Sequence, residues 1–411
     1  MVELTITRLG HHGDGIARAP NGDTIFVPLT LPGEAISGEA EGDRIAAPCV
    51  ITPSPDRVRA PCPHYRSCGG CSLMHASDPF VADFKAGVIT TALAAHDLSA
   101  PLRPIRISAP RTRRRATFAG TRTKKGALIG FHARKSDTIV PIRDCLVIEP
   151  ALLETLPALA DLTRLGASRS ATLSLSLTLT ETGVDLHVTG AKPLDGPLRA
   201  ALPQFQGSFS RLTWGDEPVY TDAAPRLTLG PARVTPPPGA FLQATRDGEA
   251  ALQAAVQEAT DGATRIADLF CGLGTFALPL ATRAAVHAVE AAPDLLAALA
   301  HAQRHATGLK PLTTEARDLF RRPLLPDELA RFDAVVIDPP RAGAEAQMAE
   351  IARAQVPVIA AVSCNPTTFA RDAAILVAAG YTLDWIQPVD QFRWSPHVEL
   401  AARFTLHHIG T

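Results

Sequence analysis

The chain of 411 residues has no excess of either charge: 40 Lys and Arg stand against 41 Asp and Glu, a formal net charge of −1. That balance excludes a uniformly basic coat protein for nucleic acid. No apolar run reaches the ~18 residues that cross a bilayer, so no membrane partner is expected. The first residues, Met1-Val-Glu-Leu-Thr-Ile-Thr7, lack the charged and apolar regions of a secretory leader, and a cytoplasmic location is expected. Seven cysteines do not suggest a disulfide framework in so long a chain. Charged residues at 20% and hydrophobic ones at 46% exclude wholesale disorder. What the chain has in plenty is proline, 35 residues against a usual share of ~5%, which points to many loops and edges. At ~150 residues per domain the length suggests two or three domains.

The segments differ in pattern. Residues 1–56 read as short strands between turns: Val2–Leu9, Thr24–Val27 and Arg44–Ala47, interrupted by Gly10, Gly13, Gly15, Pro32-Gly33 and Gly42-Asp43. Such spacing favours a small β-barrel. Residues 57–235 are a less regular α+β stretch with one clear signal. Leu173, Leu175, Leu177 and Leu179 alternate with Ser or Thr, and Val184, Leu186 and Val188 alternate with polar residues after Glu181-Thr-Gly183. This predicts a half-buried antiparallel hairpin. Pro236-Pro-Pro-Gly239 then marks a boundary, and residues 236–411 alternate strand, loop and helix as a doubly wound, Rossmann-like α/β sheet does. Its buried strands are read at Ile266–Phe270, Ala285–Val289, Ala334–Ile337, Val358–Val362 and Leu400–Leu406.

In such a sheet the residues just after each strand carry the chemistry. The first strand runs into Asp268-Leu-Phe-Cys-Gly-Leu-Gly-Thr-Phe276, where Gly272-x-Gly274 lets the backbone turn tightly beside a ligand. Glu290 ends the second strand and can accept the ribose hydroxyls of a nucleoside cofactor. These two features fit NAD and S-adenosylmethionine equally. Asp338-Pro-Pro-Arg341 and Ser363-Cys-Asn-Pro366 follow later strands. Cys364 thereby opens toward the crevice beside a helix N-terminus, a place that lowers a thiol's pKa and primes a nucleophile. Near the end stands Asp390-Gln-Phe-Arg-Trp-Ser-Pro-His-Val-Glu399.

Asp-Leu-Phe-Cys-Gly-x-Gly, Asp-Pro-Pro-Arg, Ser-Cys-Asn-Pro and His-Val-Glu, in this order, resemble the S-adenosylmethionine-dependent RNA 5-methyluridine methyltransferases, above all the iron–sulfur-containing bacterial 23S rRNA uracil-C5 enzymes. The likeness spans nearly the whole chain, residues 1–56 matching the small TRAM barrel of that branch. It implies a class I methyltransferase domain at 236–411, Cys364 as nucleophile and Glu399 as general base. It also implies cofactor contacts at Gln243, Phe270, Thr275, Glu290, Asp318 and Asp338, with Thr275 standing where Asn is expected. A monomer is expected, with rRNA favoured over tRNA as partner.

Cys62, Cys68 and Cys71 are spaced C-x5-C-x2-C, and thiolates so clustered hold a [4Fe–4S] cluster or a structural zinc. With only one C-x2-C knuckle, iron–sulfur is favoured, and the resemblance implies Cys145 as remote fourth ligand of a structural cluster. Between Arg103 and Lys135 lie eleven Lys or Arg and no acid, interleaved with Phe118 and Phe131, which reads as a phosphate-contacting surface. The rival readings are an exocyclic-amine methyltransferase, a tRNA enzyme, an RNA-binding iron–sulfur protein without catalysis, and an NAD-dependent oxidoreductase.

Overall fold

A computed structural model describes residues 1–168 and 170–406. Strands β1 (Val2–Leu9), β2 (Gly15–Arg18), β3 (Thr24–Val27), β4 (Ala35–Gly38) and β5 (Cys49–Thr52) form an antiparallel sheet in the order β3-β2-β1-β4-β5. Its period-two pattern turns Leu4, Ile6, Ala17, Ile25, Val27 and Ile36 inward, as half-buried strands do. The strand expected at Arg44–Ala47 does not form. Arg44 makes only isolated bridges to Phe26 and Glu41, and Ile45 is wholly buried as a plug. Gly38 makes room for it, since a Cβ there would lie 2.4 Å from Ile45 Cγ2. The buried Glu34 ties this unit to the segment beyond β5, accepting from Leu31 N at 2.8 Å, Ser54 N at 3.1 Å and the Arg57 guanidinium.

Next come β6 (Arg106–Ile107), β7 (Arg115–Thr123), β8 (Gly126–His132), β9 (Ile139–Pro141), β10 (Thr172–Thr180), β11 (Gly183–Thr189), β12 (Arg211–Trp214) and β13 (Glu217–Thr221). All but β6 join one seven-stranded sheet, ordered β13-β12-β11-β10-β7-β8-β9. The expected hairpin is β10–β11, with Leu177 opposite Leu186 and Thr180 opposite Gly183. Leu173, Leu175 and Leu177 face the core with Phe118, Val188 and Trp214, under the helix Leu156–Gly166. A small two-stranded sheet of β14 (Leu227–Leu229) and β15 (Ala232–Val234) leads on to the last domain.

There β16 (Arg265–Leu269), β17 (Ala285–Glu290), β18 (Leu312–Ala316), β19 (Ala334–Ile337), β20 (Val358–Ser363), β21 (Tyr381–Asp390) and β22 (Glu399–Leu406) are ordered β18-β17-β16-β19-β20-β22-β21, with β6 on the far edge. The strands from β16 to β20 pair in parallel, and β22 runs antiparallel between β20 and β21. Both faces are covered, which explains the unbroken apolar runs: Ile266, Val336 and Val362 enter one core, Ala267, Val335 and Ile359 the other. The strand order reverses between β16 and β19, opening a crevice at their carboxyl ends. The helix Asp78–Ala94, far away in sequence, adds Ile89 and Leu93 to this second core. Its Lys85, wholly buried, places Nζ 2.5 Å from Asp390 Oδ1 and 3.2 Å from the Phe392 carbonyl. Among the described residues no helix is long and apolar enough to cross a membrane.

Candidate active site and cysteine cavity

The crevice begins where β16 ends. Phe270, Gly272 and Gly274 all have positive φ, of 60°, 54° and 87°, a bend that costs glycine little. A Cβ on Gly274 would lie 2.5 Å from Leu299 Cδ1, so this glycine seats the helix Pro293–His305; one on Gly272 would meet nothing within 4 Å. Gly272 thus leaves bare backbone facing the crevice. Its N–H donates to Glu290 Oε2 at 3.0 Å, while Ala291 N and Ala292 N donate to Oε1 at 2.8 and 3.0 Å. Asp318 Oδ1 accepts from Phe320 N at 3.0 Å and so shapes the turn that sets the Phe320 ring 5.3 Å from that of Phe270. Thr275 contributes its carbonyl, which accepts from Gln253 Nε2 at 2.9 Å. Gln243 is buried, its Oε1 accepting from Gln391 Nε2 at 2.5 Å.

One residue of this crevice is not singled out by sequence reasoning. Asp268 is wholly buried, and apart from the backbone N–H of Ala277 its carboxylate has no hydrogen-bond partner among the described residues. Burial first, then the neighbouring Asp338, pushes its pKa well above the carboxylate range. Asp338 itself is pushed up to about 7 by burial. Asp268, Glu290 and Asp338 stand close enough to raise one another's charge cost, a crowding that a cationic ligand relieves.

The candidate reactive end lies where β20 and β22 meet. Ser363 of β20 pairs with Leu400 of β22, so continuing the antiparallel register sets Cys364 opposite Glu399. Asn365 caps the helix Pro366–Ala378, its Oδ1 accepting from Thr367 N at 3.1 Å. Its Nδ2 donates to the Arg341 carbonyl at 3.0 Å, and Thr368 Oγ1 donates there at 3.2 Å. These bonds hold the Asp338-Pro-Pro-Arg341 loop over Cys364. Arg341 Nη2 in turn donates to His397 Nδ1 at 2.8 Å; burial and then Arg341 push His397 down to about 4, so it accepts as a neutral ring.

Glu399 is buried and pushed up to about 8, by desolvation first and Asp338 second, against a hydrogen bond from Gln391 and the charge of Arg341. The Cys364 thiol is half-buried and pushed up to about 11. This reverses the lowering expected from the helix N-terminus. Burial and the carboxylates Glu399 and Asp338 raise it, and Arg341, through its charge and a hydrogen bond, opposes them. Arg341 is a second residue whose part sequence reasoning misses, although its motif is conspicuous.

The chain matches the family model described as tRNA (Uracil-5-)-methyltransferase over residues 239–405, and that of the TRAM domain over residues 1–36. An uncharacterized RNA methyltransferase of Caulobacter vibrioides is 46% identical over 98% of this chain and 100% of its own length. The 23S rRNA (uracil(1939)-C(5))-methyltransferase RlmD of Shewanella sp. is 31% identical over 98% of this chain and 95% of that one. The chain belongs to the S-adenosylmethionine-dependent RNA uracil-C5 methyltransferase family. The crystal structure of the Pyrococcus abyssi tRNA (uracil-54, C5)-methyltransferase with S-adenosyl-L-homocysteine covers 98% of this chain and 99% of its own, at 23% identity and a TM-score of 0.75, and shows the same fold. The class I methyltransferase sheet and the N-terminal TRAM unit expected of the family are therefore present.

In this RNA methyltransferase the four cysteines singled out in the sequence come together. Cys62, Cys68, Cys71 and Cys145 line one cavity of about 310 Å³, with Arg113 and Tyr65 also in its wall. Burial raises the thiols of Cys62, Cys68 and Cys71, the last to about 12, and their own proximity to Cys145 adds to it. Among the described residues, no three His, Cys, Asp or Glu are grouped as a ligand set for a metal ion. The loop is braced from outside: Gly69 N donates to the His132 carbonyl at 2.9 Å, and Arg134 donates to the Cys71 carbonyl. Ser72 N and Leu73 N both donate to the Trp394 carbonyl, at 2.8 and 2.9 Å, joining the cysteine loop to the segment that leads to Glu399.

Of the basic run read as a phosphate-contacting surface, six of the eleven side chains are partly or wholly buried. Arg103 pairs with Glu258 at 2.5 Å and lies 3.7 Å over the Trp385 ring; Arg111 pairs with Asp144 at 3.0 Å. Arg114 and Glu249 form a buried pair at 2.5 Å. Arg115 lies 4.5 Å over the exposed Phe241 ring and donates to the Leu242 carbonyl at 3.0 Å. Phe118 is wholly buried and stacks on Phe131 at 4.7 Å, so these rings belong to the core. Glu258, Asp144, the buried Glu249 and a backbone carbonyl engage these guanidinium groups. Arg106, Arg122, Lys124, Lys125 and Lys135 remain exposed.

Proposed function

We propose that this enzyme methylates C5 of a uridine in 23S rRNA through a covalent bond between Cys364 and C6 of the base. The observation that carries this reading is the meeting of Cys364 and Glu399 at adjoining strand ends, with Arg341 interacting with both. Uracil C5 is a poor nucleophile toward a sulfonium. The Cys364 thiol loses its proton to solvent and its sulfur adds to C6, moving the C5–C6 electron pair into an enolate. The enolate carbon C5 takes the methyl group, leaving the donor a neutral thioether. Glu399 removes the C5 proton; the C5–C6 double bond re-forms and the C6–S bond breaks, releasing Cys364 as thiolate. Both groups must reach one ring, so the uridine is extruded from its stack.

S-adenosylmethionine supplies the transferable methyl group. Gln243, Phe270, Thr275, Glu290, Asp318 and Asp338 are proposed to hold it, with the buried carboxylate of Asp268 as a further partner. Arg341, whose charge and hydrogen bond favour the ionised sulfur, is proposed to stabilise the Cys364 thiolate. The four cysteines around one cavity support a structural [4Fe–4S] cluster, which when bound ties the 62–71 loop to Cys145. The choice of 23S rRNA rests on the activity for which the Shewanella relative is named and on its near full-length match. The experiment is transfer of labelled methyl from S-adenosylmethionine into separate rRNA and tRNA pools, followed by nucleoside analysis. Label in 5-methyluridine from 23S rRNA is expected; label confined to tRNA moves the substrate, and label only in another base overturns the reaction.

A further inference from the structure

Gln391 lies between Gln243 and Glu399, and its bonds leave it one orientation. Its Oε1 accepts from the backbone N–H of Ala244 at 2.7 Å and of Thr245 at 3.4 Å. A backbone N–H only donates, so the oxygen cannot be exchanged with the nitrogen. Nε2 therefore faces the other way and donates to Gln243 Oε1 at 2.5 Å and to the Glu399 carboxylate. Gln243 must then offer its oxygen to Gln391, which leaves its own Nε2 hydrogens for the site. All three side chains are buried.

The fold is shaped around this amide. A Cβ on Gly248 would lie 2.8 Å from Gln391 Cβ and 3.2 Å from its Oε1, so only glycine at that point of the helix Arg246–Ala259 lets Gln391 close in. The preceding residue is pinned from three sides. Asp390 Oδ1 meets Lys85 Nζ at 2.5 Å and Phe392 N at 3.0 Å, and its carbonyl accepts from Ser108 N at 2.9 Å.

We propose that Gln391 is a positioning residue, one that orients Gln243 as a donor and favours the carboxylate form of Glu399. This inference rests on Glu399 being the general base. In this role Gln391 acts through the two residues it bridges. The ionisable groups facing Glu399 are Asp338, Arg341 and Cys364. Of Gln391 and these, Gln391 and Arg341 favour the carboxylate.

The test is the pH dependence of kcat/KM for methyl transfer by Gln391→Leu in the full chain, with folding checked by thermal melting. Without the amide donor the carboxylate form of Glu399 is disfavoured, so the pH of half-maximal rate should rise by about one unit or more. Gln391→Asn, which keeps an amide but withdraws it by one methylene, is the second case and should shift in the same direction. A slower enzyme with an unmoved profile, in either variant that folds, overturns the proposal, because loss of packing alone lowers the rate without moving the profile. Glu399→Gln separates the two claims. If it turns over like the native enzyme, the general-base reading fails; if it does not and the Gln391 profile stays put, only the positioning role fails.

Discussion

Cys364 and Glu399 occupy neighbouring ends of antiparallel strands, one step beyond the paired residues Ser363 and Leu400. In the proposed mechanism this register presents a thiol and a carboxylate to one ring. Cys364→Ala should therefore lose at least about 10³-fold in methyl transfer, while binding of S-adenosylmethionine, measured calorimetrically, persists. Retained methylation in this variant is the result expected of an amine methyltransferase instead.

The pH dependence follows from the burial of Glu399. In the proposed role of base it must be ionised, and its pKa in the folded protein is pushed up to about 8, so the rate should climb as pH rises through about 8. The same shift has a stability consequence of opposite sense. Between the ordinary 4.5 and about 8, the folded state binds the proton that the unfolded state has lost, so this residue's contribution to stability falls as pH rises across that window. Rate profiles and melts at matched pH check the two trends together.

The basic run holds two kinds of side chain, those engaged within the fold and those exposed. Arg114→Ala should destabilise the fold by about 3–5 kcal/mol, because it strands Glu249 as a buried unpaired charge. Replacing the exposed Lys124 and Lys125 together by Ala should leave the melting temperature nearly unchanged. It should instead reduce the slope of log affinity for RNA against log salt, by about 0.9 for each phosphate no longer neutralised. Denaturant melts and RNA-binding titrations at several salt concentrations decide between them.

Cys145→Ser should lower the iron and acid-labile sulfide content of protein purified without oxygen, and lower its melting temperature. The Trp394 carbonyl is held by the backbone just after Cys71, so loosening that loop should also slow methyl transfer. Undiminished iron and sulfide in this variant count against Cys145 as a ligand.

Much of this site is legible in the sequence because its residues sit directly after buried strands, where an apolar run ends and a short motif begins. Glu290, Asp338 and Cys364 all mark such ends. The cysteines are legible through their spacing, and the β10–β11 hairpin through its strict alternation. What stays hidden depends on distant pairing. Lys85 reads as one more helix lysine until Asp390 arrives from some three hundred residues away to neutralise it. Arg114 reads as surface charge until Glu249 does the same. The direction of the Cys364 shift escapes sequence reasoning because a helix N-terminus is local, whereas Glu399 and Asp338 reach that thiol only through the sheet. Gln391 shows nothing of itself, since an amide between two functional residues has no motif of its own.

The covalent route is tested most directly by incubating Glu399→Gln with 23S rRNA and methyl-labelled S-adenosylmethionine, then separating protein from RNA under denaturing conditions. Without its base the enzyme should stall after methyl transfer, so a labelled protein–RNA adduct should accumulate in Glu399→Gln and be absent when Cys364→Ala is added. Absence of any adduct, with methylated uridine released as freely as by the native enzyme, would contradict both the Cys364 adduct and the role of Glu399.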